Sequence, residues 1–278
     1  MKKLFDELAY RVSKSVTEKY STSFSLGILA LKPKIRPAVY AVYGYVRLAD
    51  EIVDSFQGYD QERLLERLKS ETWHALEEGI SLNPVLQSFQ ETVNRYSIDH
   101  MLIAQFLHSM EMDLHKAEYD TARYKEYILG SAEVVGLMCL QIFVEGNTEA
   151  YETLKPAAMK LGSAFQKVNF LRDLNYDNKV LGRSYFPDIN LQVFNDEAKS
   201  AIEMEIEADF REALTGIRKL PASSRFGVYL AYKYFVSLFM KIKKTPANKI
   251  MNSRVRIANG RKLSLAMTSY VQYKIAVI

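Results

Sequence analysis

The sequence contains few of the residues that interrupt helices or cross-link small folds. Its 278 residues include 12 glycines and 7 prolines, which is below the usual shares of about 7% and 5% and favours long helices. The single cysteine, Cys139, excludes an internal disulfide framework and a cysteine-rich zinc site, and it fits a reducing compartment. Dinucleotide-binding, Walker, C-x-x-C and H-E-x-x-H motifs are also missing, which excludes the common cofactor and metalloprotease fingerprints.

Acidic residues are absent from the last part of the chain. Residues 219–278 carry twelve Lys and Arg and no Asp or Glu, so the first 218 residues have a net charge of −8 within a total of +4. This asymmetry predicts a basic surface formed by the C-terminal segment. The interpretations are a surface that contacts anionic lipid headgroups, a solvated face, or a surface that pairs with the acidic part of the chain.

Apolar residues recur with helical spacing along nearly the whole chain, whereas alternating runs and Asn-Gly hairpin signals are missing. We therefore predict an all-α protein with a single domain over residues 1–278, in which about ten helices form a bundle around a central cavity. The predicted helices are an N-terminal amphipathic helix, 37–56, 61–78, a short helix from Pro84, 98–116, 124–144, 156–176, 197–217, 226–243 and a closing helix over 263–278. Residues 178–190 are predicted to be non-helical.

Targeting and membrane-spanning segments are not evident in the sequence. Asp6, Glu7 and Arg11 interrupt the N-terminal apolar residues, so this stretch predicts an amphipathic helix and not a signal peptide. About 18 apolar residues nowhere run together, and we expect no spanning helix. The closing helix is expected to pack on the core, and the alternative is a helix that lies on a membrane surface.

Two segments place carboxylates on one face of a helix. Asp50 and Asp54 lie four residues apart with Arg47 one turn earlier, and a second polar stripe holds Gln166, Asn169, Asp173 and Asp177. Stacked like charges repel, so something must offset their cost in helices that are otherwise mostly apolar. Two such stripes facing each other would offer oxygen ligands to Mg²⁺ and leave positions for phosphate oxygens.

The spacing leaves a second interpretation open, in which each aspartate pairs with a neighbouring arginine in a structural network. Arg47, Arg172 and Arg183 could serve either as these partners or as diphosphate ligands. A third acidic pair, Glu203 and Glu207, is interpreted as a solvated helix face.

Several stretches together resemble one family, the squalene and phytoene synthases, over residues 20–262. The stretches that carry the resemblance are Ser-Thr-Ser-Phe at 21–24, the segment 36–43, the first aspartate motif at 47–54, the middle segments 110–114 and 127–136, the second motif at 166–177, and Gly-Arg-Ser-Tyr-Phe-Pro at 182–187. The resemblance implies the isoprenoid synthase fold. Three positions depart from the family pattern: Tyr20 stands where relatives often have His, Glu133 where a small Gly is common, and Phe235 where a tyrosine is expected.

The resemblance also implies roles for individual residues. The implied Mg²⁺ ligands, with Mn²⁺ as a substitute ion, are Asp50, Asp54, Asn169, Asp173 and Asp177. The implied catalytic residues are Asp50, Asp54, Asp173, Asp177, Arg47 and Tyr43. The implied substrate-binding residues are Tyr20, Ser21, Thr22, Ser23, Phe24, Tyr127, Gln166, Arg172 and Arg183, with Phe24 and Tyr127 lining the chain pocket.

The activity implied is the condensation of two geranylgeranyl diphosphates to phytoene through a cyclopropylcarbinyl diphosphate. The alternative is a dehydrosqualene or squalene synthase acting on farnesyl diphosphate, with NADPH as a cofactor only if squalene is the product. A third hypothesis, from a different class, is a catalytically silent scaffold that binds prenyl lipids. The expected partners are prenyl diphosphates and a membrane surface but no nucleic acid, with the oligomeric state open, and the expected location is cytoplasmic and peripheral at the inner membrane face.

Overall fold

The computed structural model describes residues 1–115, 119–177, 183, 185–187 and 194–275, and these residues form helices and no strand. The prediction of an all-α protein is therefore confirmed. The helices are α1 (Lys2–Tyr20), α2 (Thr22–Leu29), α3 (Arg36–Ser55), α4 (Gln61–Glu78), α5 (Pro84–Tyr96), α6 (His100–Leu114), α7 (Thr121–Ile128), α8 (Val134–Phe143), α9 (Thr148–Tyr176), α10 (Asp196–Lys219), α11 (Arg225–Lys243), α12 (Ala247–Ile250) and α13 (Asn259–Lys274).

Helix α9 begins eight residues before its predicted start. Its cap is Asn147, whose side chain accepts a hydrogen bond from the Ala150 amide at 2.9 Å, and Pro156 lies inside the helix. A proline removes one backbone donor, a cost that the packing of a long helix can absorb. The asparagine cap was thus a stronger start signal than the proline.

The predicted helix over 124–144 is divided into three parts. A π-helical turn, Leu129–Glu133, separates α7 from α8. Such turns are rare and are frequent at functional sites. The short helices α2 and α12 were not predicted, and most of the segment 178–190 lies outside the described residues, as does Lys116.

Buried apolar residues form two clusters. The first, built largely on α3, α5, α6 and α8, includes Tyr45 stacked on Phe89 with ring centroids 3.8 Å apart. The second is richer in aromatic rings and is built largely on α7, α9, α10 and α11. The faces of α3 and α9 that do not enter these clusters carry the two predicted aspartate stripes.

Glycines allow two pairs of helices to approach closely. A Cβ on Gly162 of α9 would lie 2.7 Å from the Ala132 carbonyl oxygen in the π-helical turn, and one on Gly227 of α11 would lie 2.6 Å from the Gly27 carbonyl oxygen in α2. Real Cβ atoms do not approach so closely, so glycine is required at both crossings. The first crossing positions Gln166, whose side chain donates to Ser131 Oγ at 3.3 Å.

One helical stretch of the described chain, Thr121–Phe143, is long and apolar enough to cross a membrane by length and composition. This differs from the sequence-based expectation. Val134, Leu137 and Met138 of this stretch are buried in the first cluster, and a core helix of a globular bundle passes the same test.

Candidate active site

The first aspartate stripe lies on the polar face of α3. Ala49 and Val53 are buried on the opposite face, so the helical period turns Arg47, Asp50 and Asp54 away from the core. Arg47 forms an ion pair with Glu51 and lies 3.9 Å from Asp50. The predicted grouping of these three side chains is present.

The second stripe lies on α9 in the same way. Val168, Leu171 and Leu174 are buried, and Asp173 faces outward, where the Arg172 guanidinium donates to Asp173 Oδ2 at 2.5 Å. Asp177 directly follows the helix.

Arg183 connects the end of α9 to α3. Its backbone amide donates to the Asp177 carbonyl at 2.9 Å, and its guanidinium donates to Asp54 Oδ1 at 2.7 Å and to the Val53 carbonyl at 3.1 Å. The two motifs, more than 100 residues apart in sequence, therefore meet through one cation.

Negative charge accumulates where the stripes meet. Burial and the charge of Asp54 raise the pKa of Asp50 to about 7, although 32% of the Asp50 side chain still contacts solvent. Burial, Asp173 and Asp54 raise the pKa of Asp177 to about 8. These carboxylates from both helices disfavour each other's ionised form, so the site favours a cation.

Asp113 on α6 joins this site, although its sequence did not single it out for a role. Its carboxylate is buried and accepts hydrogen bonds from Tyr127 Oη at 2.6 Å and from Tyr185 Oη at 3.1 Å. Arg183 Nη1 lies 3.5 Å from it, and Arg183 Nη2 donates to the Asp113 backbone carbonyl at 2.8 Å. Asp113 is thus the buried counterion of the arginine that holds Asp54, and no local spacing signal marks it.

Two side chains of the basic C-terminal segment also reach the site. Arg254 Nε lies 2.6 Å from Asp173 Oδ1, and Lys262 Nζ donates to Thr22 Oγ1 at 2.5 Å. We call the surface formed by these contacts and by Arg47 and Arg172 the site mouth. Sequence reasoning assigned this basic segment to lipid contact and missed its contribution to the mouth, although the absence of acidic residues was a usable signal.

The predicted substrate-binding residues at the start of α2 lie beside the mouth. Tyr20 is half exposed, and the Arg47 guanidinium stacks on its ring at 4.4 Å from the centroid. Ser21 caps α2, because its hydroxyl accepts from the Phe24 amide at 3.2 Å. Ser23 is half-buried on the same helix. Ser21 therefore has a structural contact in addition to its predicted role.

Tyr43 lies on α3, one turn before Arg47. Burial raises the pKa of its hydroxyl, and the charges of Asp50, Arg47 and Arg172 also act on it. Charges from both α3 and α9 therefore influence this hydroxyl.

Aromatic rings of the second apolar cluster lie next to the mouth in two groups of contacts. Phe24 packs with Tyr43 and Phe235 at centroid distances of 5.5 and 5.7 Å, and Phe165 stacks on Phe235 at 3.8 Å. Tyr127 belongs to the other group, where it stacks on Tyr185 at 4.9 Å. Tyr127 is part of the second apolar cluster and Phe24 packs against it, and the lining of one chain pocket by Phe24 and Tyr127 stays a prediction.

The donor set has the chemistry that Mg²⁺ prefers. All five predicted ligands offer carboxylate or amide oxygens, and the buried Oδ1 atom of Asn169 lacks a hydrogen-bond partner. Within the described part of the chain, no three acidic, histidine or cysteine side chains are close enough to hold an ion as they stand. Arg183 and Arg254 instead neutralise Asp54 and Asp173. The five residues therefore offer the ligand atoms that Mg²⁺ prefers, but arginine side chains now occupy two of the carboxylates.

Comparisons with known proteins identify the family of the chain. The sequence model of the squalene/phytoene synthase family matches residues 17–261. The chain is 26% identical over 289 residues to phytoene synthase 1, chloroplastic, of Arabidopsis thaliana, covering 95% of this chain but only 66% of that protein. It is 27% identical over 285 residues to 15-cis-phytoene synthase of Synechocystis sp., covering 92% of this chain and 83% of that protein.

Solved structures share the fold. A dehydrosqualene synthase in complex with ligand superposes with a TM-score of 0.84 at 20% identity, covering 97% of this chain and 98% of that one. A squalene synthase from Alicyclobacillus acidocaldarius superposes with a TM-score of 0.74 at 21% identity, covering 88% of this chain and 95% of that one. With most of its length matched by the family model and the isoprenoid synthase helical fold in place, the chain belongs to the squalene/phytoene synthase family.

Proposed function

We propose that the chain is a prenyltransferase that condenses two geranylgeranyl diphosphates head to head to phytoene and releases two diphosphates. The observation that carries this proposal is the meeting of two aspartate stripes and several arginines at one mouth, beside clusters of aromatic rings. The names of its relatives, phytoene synthases at 26 to 27% identity, support the C20 substrate.

The cations of the mouth would bind the diphosphates. Arg172, Arg183 and Arg254 now neutralise aspartates, and guanidinium groups bind phosphate oxygens with the same paired geometry. Asp50, Asp54, Asn169, Asp173 and Asp177 would hold Mg²⁺. When bound, Mg²⁺ would neutralise the leaving diphosphate and promote its departure.

The bonds change in two stages. In the first, the C1–O bond of one substrate breaks, its C1 bonds to the double bond of the second substrate, and a proton is lost as the cyclopropane closes. In the second, the remaining diphosphate leaves, the skeleton rearranges to the 1–1′ linkage, and loss of another proton gives the hydrocarbon. The aromatic clusters would exclude water and stabilise the cations through their ring faces.

The second candidate is the C15 reaction, which gives dehydrosqualene, or squalene if NADPH supplies a hydride. The superposition on a dehydrosqualene synthase favours it. Phe24, Phe165 and Phe235 are in mutual contact next to the mouth, and their positions would limit the chain length that fits.

The test is incubation of the purified protein and Mg²⁺ with each diphosphate separately, followed by mass analysis of the extracted hydrocarbon. We expect phytoene from the C20 substrate and no product in the presence of a chelator. A C30 product alone would contradict the phytoene assignment. Binding of both substrates without any product would favour the silent scaffold.

We also propose that the chain acts at a membrane surface on the cytoplasmic side. The support is the basic C-terminal segment, which contributes Arg254 and Lys262 to the mouth, since long prenyl chains partition into bilayers.

A further inference from the structure

Helix α13 has a packed side and an exposed apolar side. On the packed side, Tyr273 contacts Phe226 of α11 at a centroid distance of 5.1 Å, and Gln272 accepts a hydrogen bond from Tyr229 at 3.1 Å. On the other side, Met267, Val271 and Ile275 are 66%, 52% and 67% exposed. These three residues are spaced four apart, so they form one continuous stripe, which we call the outer stripe.

Four exposed cations lie in the segment that leads to the outer stripe: Lys244, Lys249, Arg256 and Arg261. No carboxylate of the described residues lies within 4.0 Å of any of them. Lys241 donates to the Arg256 carbonyl at 2.7 Å, which ties the end of α11 to the stretch before α13. The outer stripe therefore continues from a surface whose positive charge is not neutralised by the protein.

This surface adjoins the site mouth. Arg254 contacts Asp173 and Lys262 contacts Thr22, and both belong to the same segment as the four exposed cations. The four cations, the two C-terminal contacts of the mouth and the outer stripe thus all lie along residues 244–275.

We propose that the outer stripe of α13 inserts into the headgroup region of an anionic bilayer, with the four cations on lipid phosphates and the site mouth beside the membrane. Apolar residues on one side of a helix next to Lys and Arg are the pattern of an interfacial helix, and each cation near an anionic surface adds attraction. The proposal rests on the proposed function only in that the substrates and product would reside in that membrane.

A second copy of the chain fits this surface less well. In a two-fold dimer the same patch meets itself, so the cations of one copy would face those of the other without an acidic residue between them. An anionic bilayer supplies the missing negative charge.

The test uses the full-length protein and vesicles of phosphatidylcholine alone or mixed in equal parts with phosphatidylglycerol. We expect binding to the mixed vesicles and little to the neutral ones. The double variant Met267→Gln with Val271→Gln should weaken binding about tenfold. Replacing Lys249 and Arg256 by Gln should weaken it about fivefold per cation.

Matched controls lie on α4 and α6, which pack against each other and against α3. Met101 is 63% exposed, nearly the same as Met267 at 66%, and Arg63 is exposed, so Met101→Gln and Arg63→Gln should leave vesicle binding unchanged. All four variants should keep wild-type turnover of detergent-dispersed substrate, which separates this proposal from the proposed function.

Two results would overturn the proposal. One is vesicle binding that is absent, or that is the same for the outer-stripe variants and the controls. The other is a dimer in solution that Met267→Gln with Val271→Gln dissociates, which would assign the outer stripe to self-association.

Discussion

The aspartates of α3 and those of α9 are held by arginines in different environments. Asp54 on α3 pairs with Arg183, whose side chain is only 7% exposed and contacts the buried Asp113. Asp173 on α9 pairs with Arg172 and with Arg254, whose side chains are 22% and 48% exposed. The α3 half thus has a counterion fixed in the interior, and the α9 half has counterions at the solvent boundary.

This difference bears on how each half would accept a ligand. If Arg183 moves away from Asp54, its contacts with Asp113, Val53 and Tyr185 must rearrange as well. Arg172 and Arg254 can exchange a carboxylate for a phosphate at the surface with little loss of packing. We therefore expect the α9 side to adjust on ligand binding more readily than the α3 side, whose buried network has to rearrange.

The largest expected effect is the loss of activity on removing one aspartate from either helix. Asp54→Ala and Asp173→Ala should each lower turnover by about a thousandfold or more, because both would remove a ligand for the metal that stabilises the leaving group. The measurement is hydrocarbon formation per unit of protein, with circular dichroism to show that the helices remain. Glu152→Gln, an exposed carboxylate on α9, is the control, and full activity in either aspartate variant would contradict the assigned roles.

The second effect is a difference between the α3 half and the α9 half of the site in how much their counterions stabilise the fold. Asp113→Asn should reduce the free energy of unfolding by about 3–5 kcal/mol, because it removes the buried one of the two carboxylates that neutralise Arg183. Arg254→Gln should reduce it by less than about 1 kcal/mol, since that ion pair is half exposed. Urea denaturation measures both, and equal losses would remove the distinction between an interior and a boundary counterion.

The third effect is a dependence of stability on pH. Asp50 and Asp177 have folded-state pKa values of about 7 and about 8, above the ordinary aspartate value, so the native state binds more protons than the unfolded state in this window. The stability that these two groups give the metal-free protein is therefore present at low pH, and it is lost as the pH rises toward about 8. In a chelator, the thermal midpoint should rise on acidification from pH of about 8 to about 6.

Adding Mg²⁺, or substituting Asp50, tests whether these carboxylates cause the pH dependence. Mg²⁺ should raise the thermal midpoint more at the higher pH, where the carboxylates are ionised and can bind it. Asp50→Asn should flatten the chelator profile. A wild-type profile identical to that of Asp50→Asn would show that Asp50 does not titrate in this window.

The smallest effect concerns Tyr20, whose ring stacks on Arg47 of α3. A stacked cation at an exposed ring contributes about 0.5–1 kcal/mol, so Tyr20→Ala should raise KM about two- to fivefold with kcat nearly unchanged. Tyr20→Phe keeps the ring and should behave as wild type. If Tyr20→Phe loses as much as Tyr20→Ala, the hydroxyl contacts the substrate and the stacking is incidental.

Local spacing was sufficient to predict the two stripes. The positions of Arg47, Asp50 and Asp54 on one face follow from the helical period alone, and the structure agrees. Contacts between distant segments could not be obtained this way: Arg183 meets Asp113 across 70 residues, and Arg254 meets Asp173 across 81. Asp113 was one acidic residue among 33. Its segment, 110–114, carries part of the family resemblance, but the resemblance assigned it no role and its spacing indicated no buried partner.

The pair Glu203 and Glu207 shows the same limit. The spacing predicted a solvated face for both, and this was wrong for Glu203, which is buried on α10 next to Lys199. Glu207 is partly exposed, in agreement with the prediction, and pairs with Lys243. The buried lysine neutralises Glu203, and its presence one turn earlier was the signal that the spacing argument did not use.

The central claim is that both aspartate helices bind the diphosphate jointly through Mg²⁺. It is tested most directly by calorimetric titration of a non-reactive thio-analogue of geranylgeranyl diphosphate into the wild type, Asp54→Asn and Asp173→Asn, each with and without Mg²⁺. We predict tight binding to the wild type only when Mg²⁺ is present, and the loss of this Mg²⁺-dependent binding in both variants. Mg²⁺-dependent binding that survives in either variant would contradict the account.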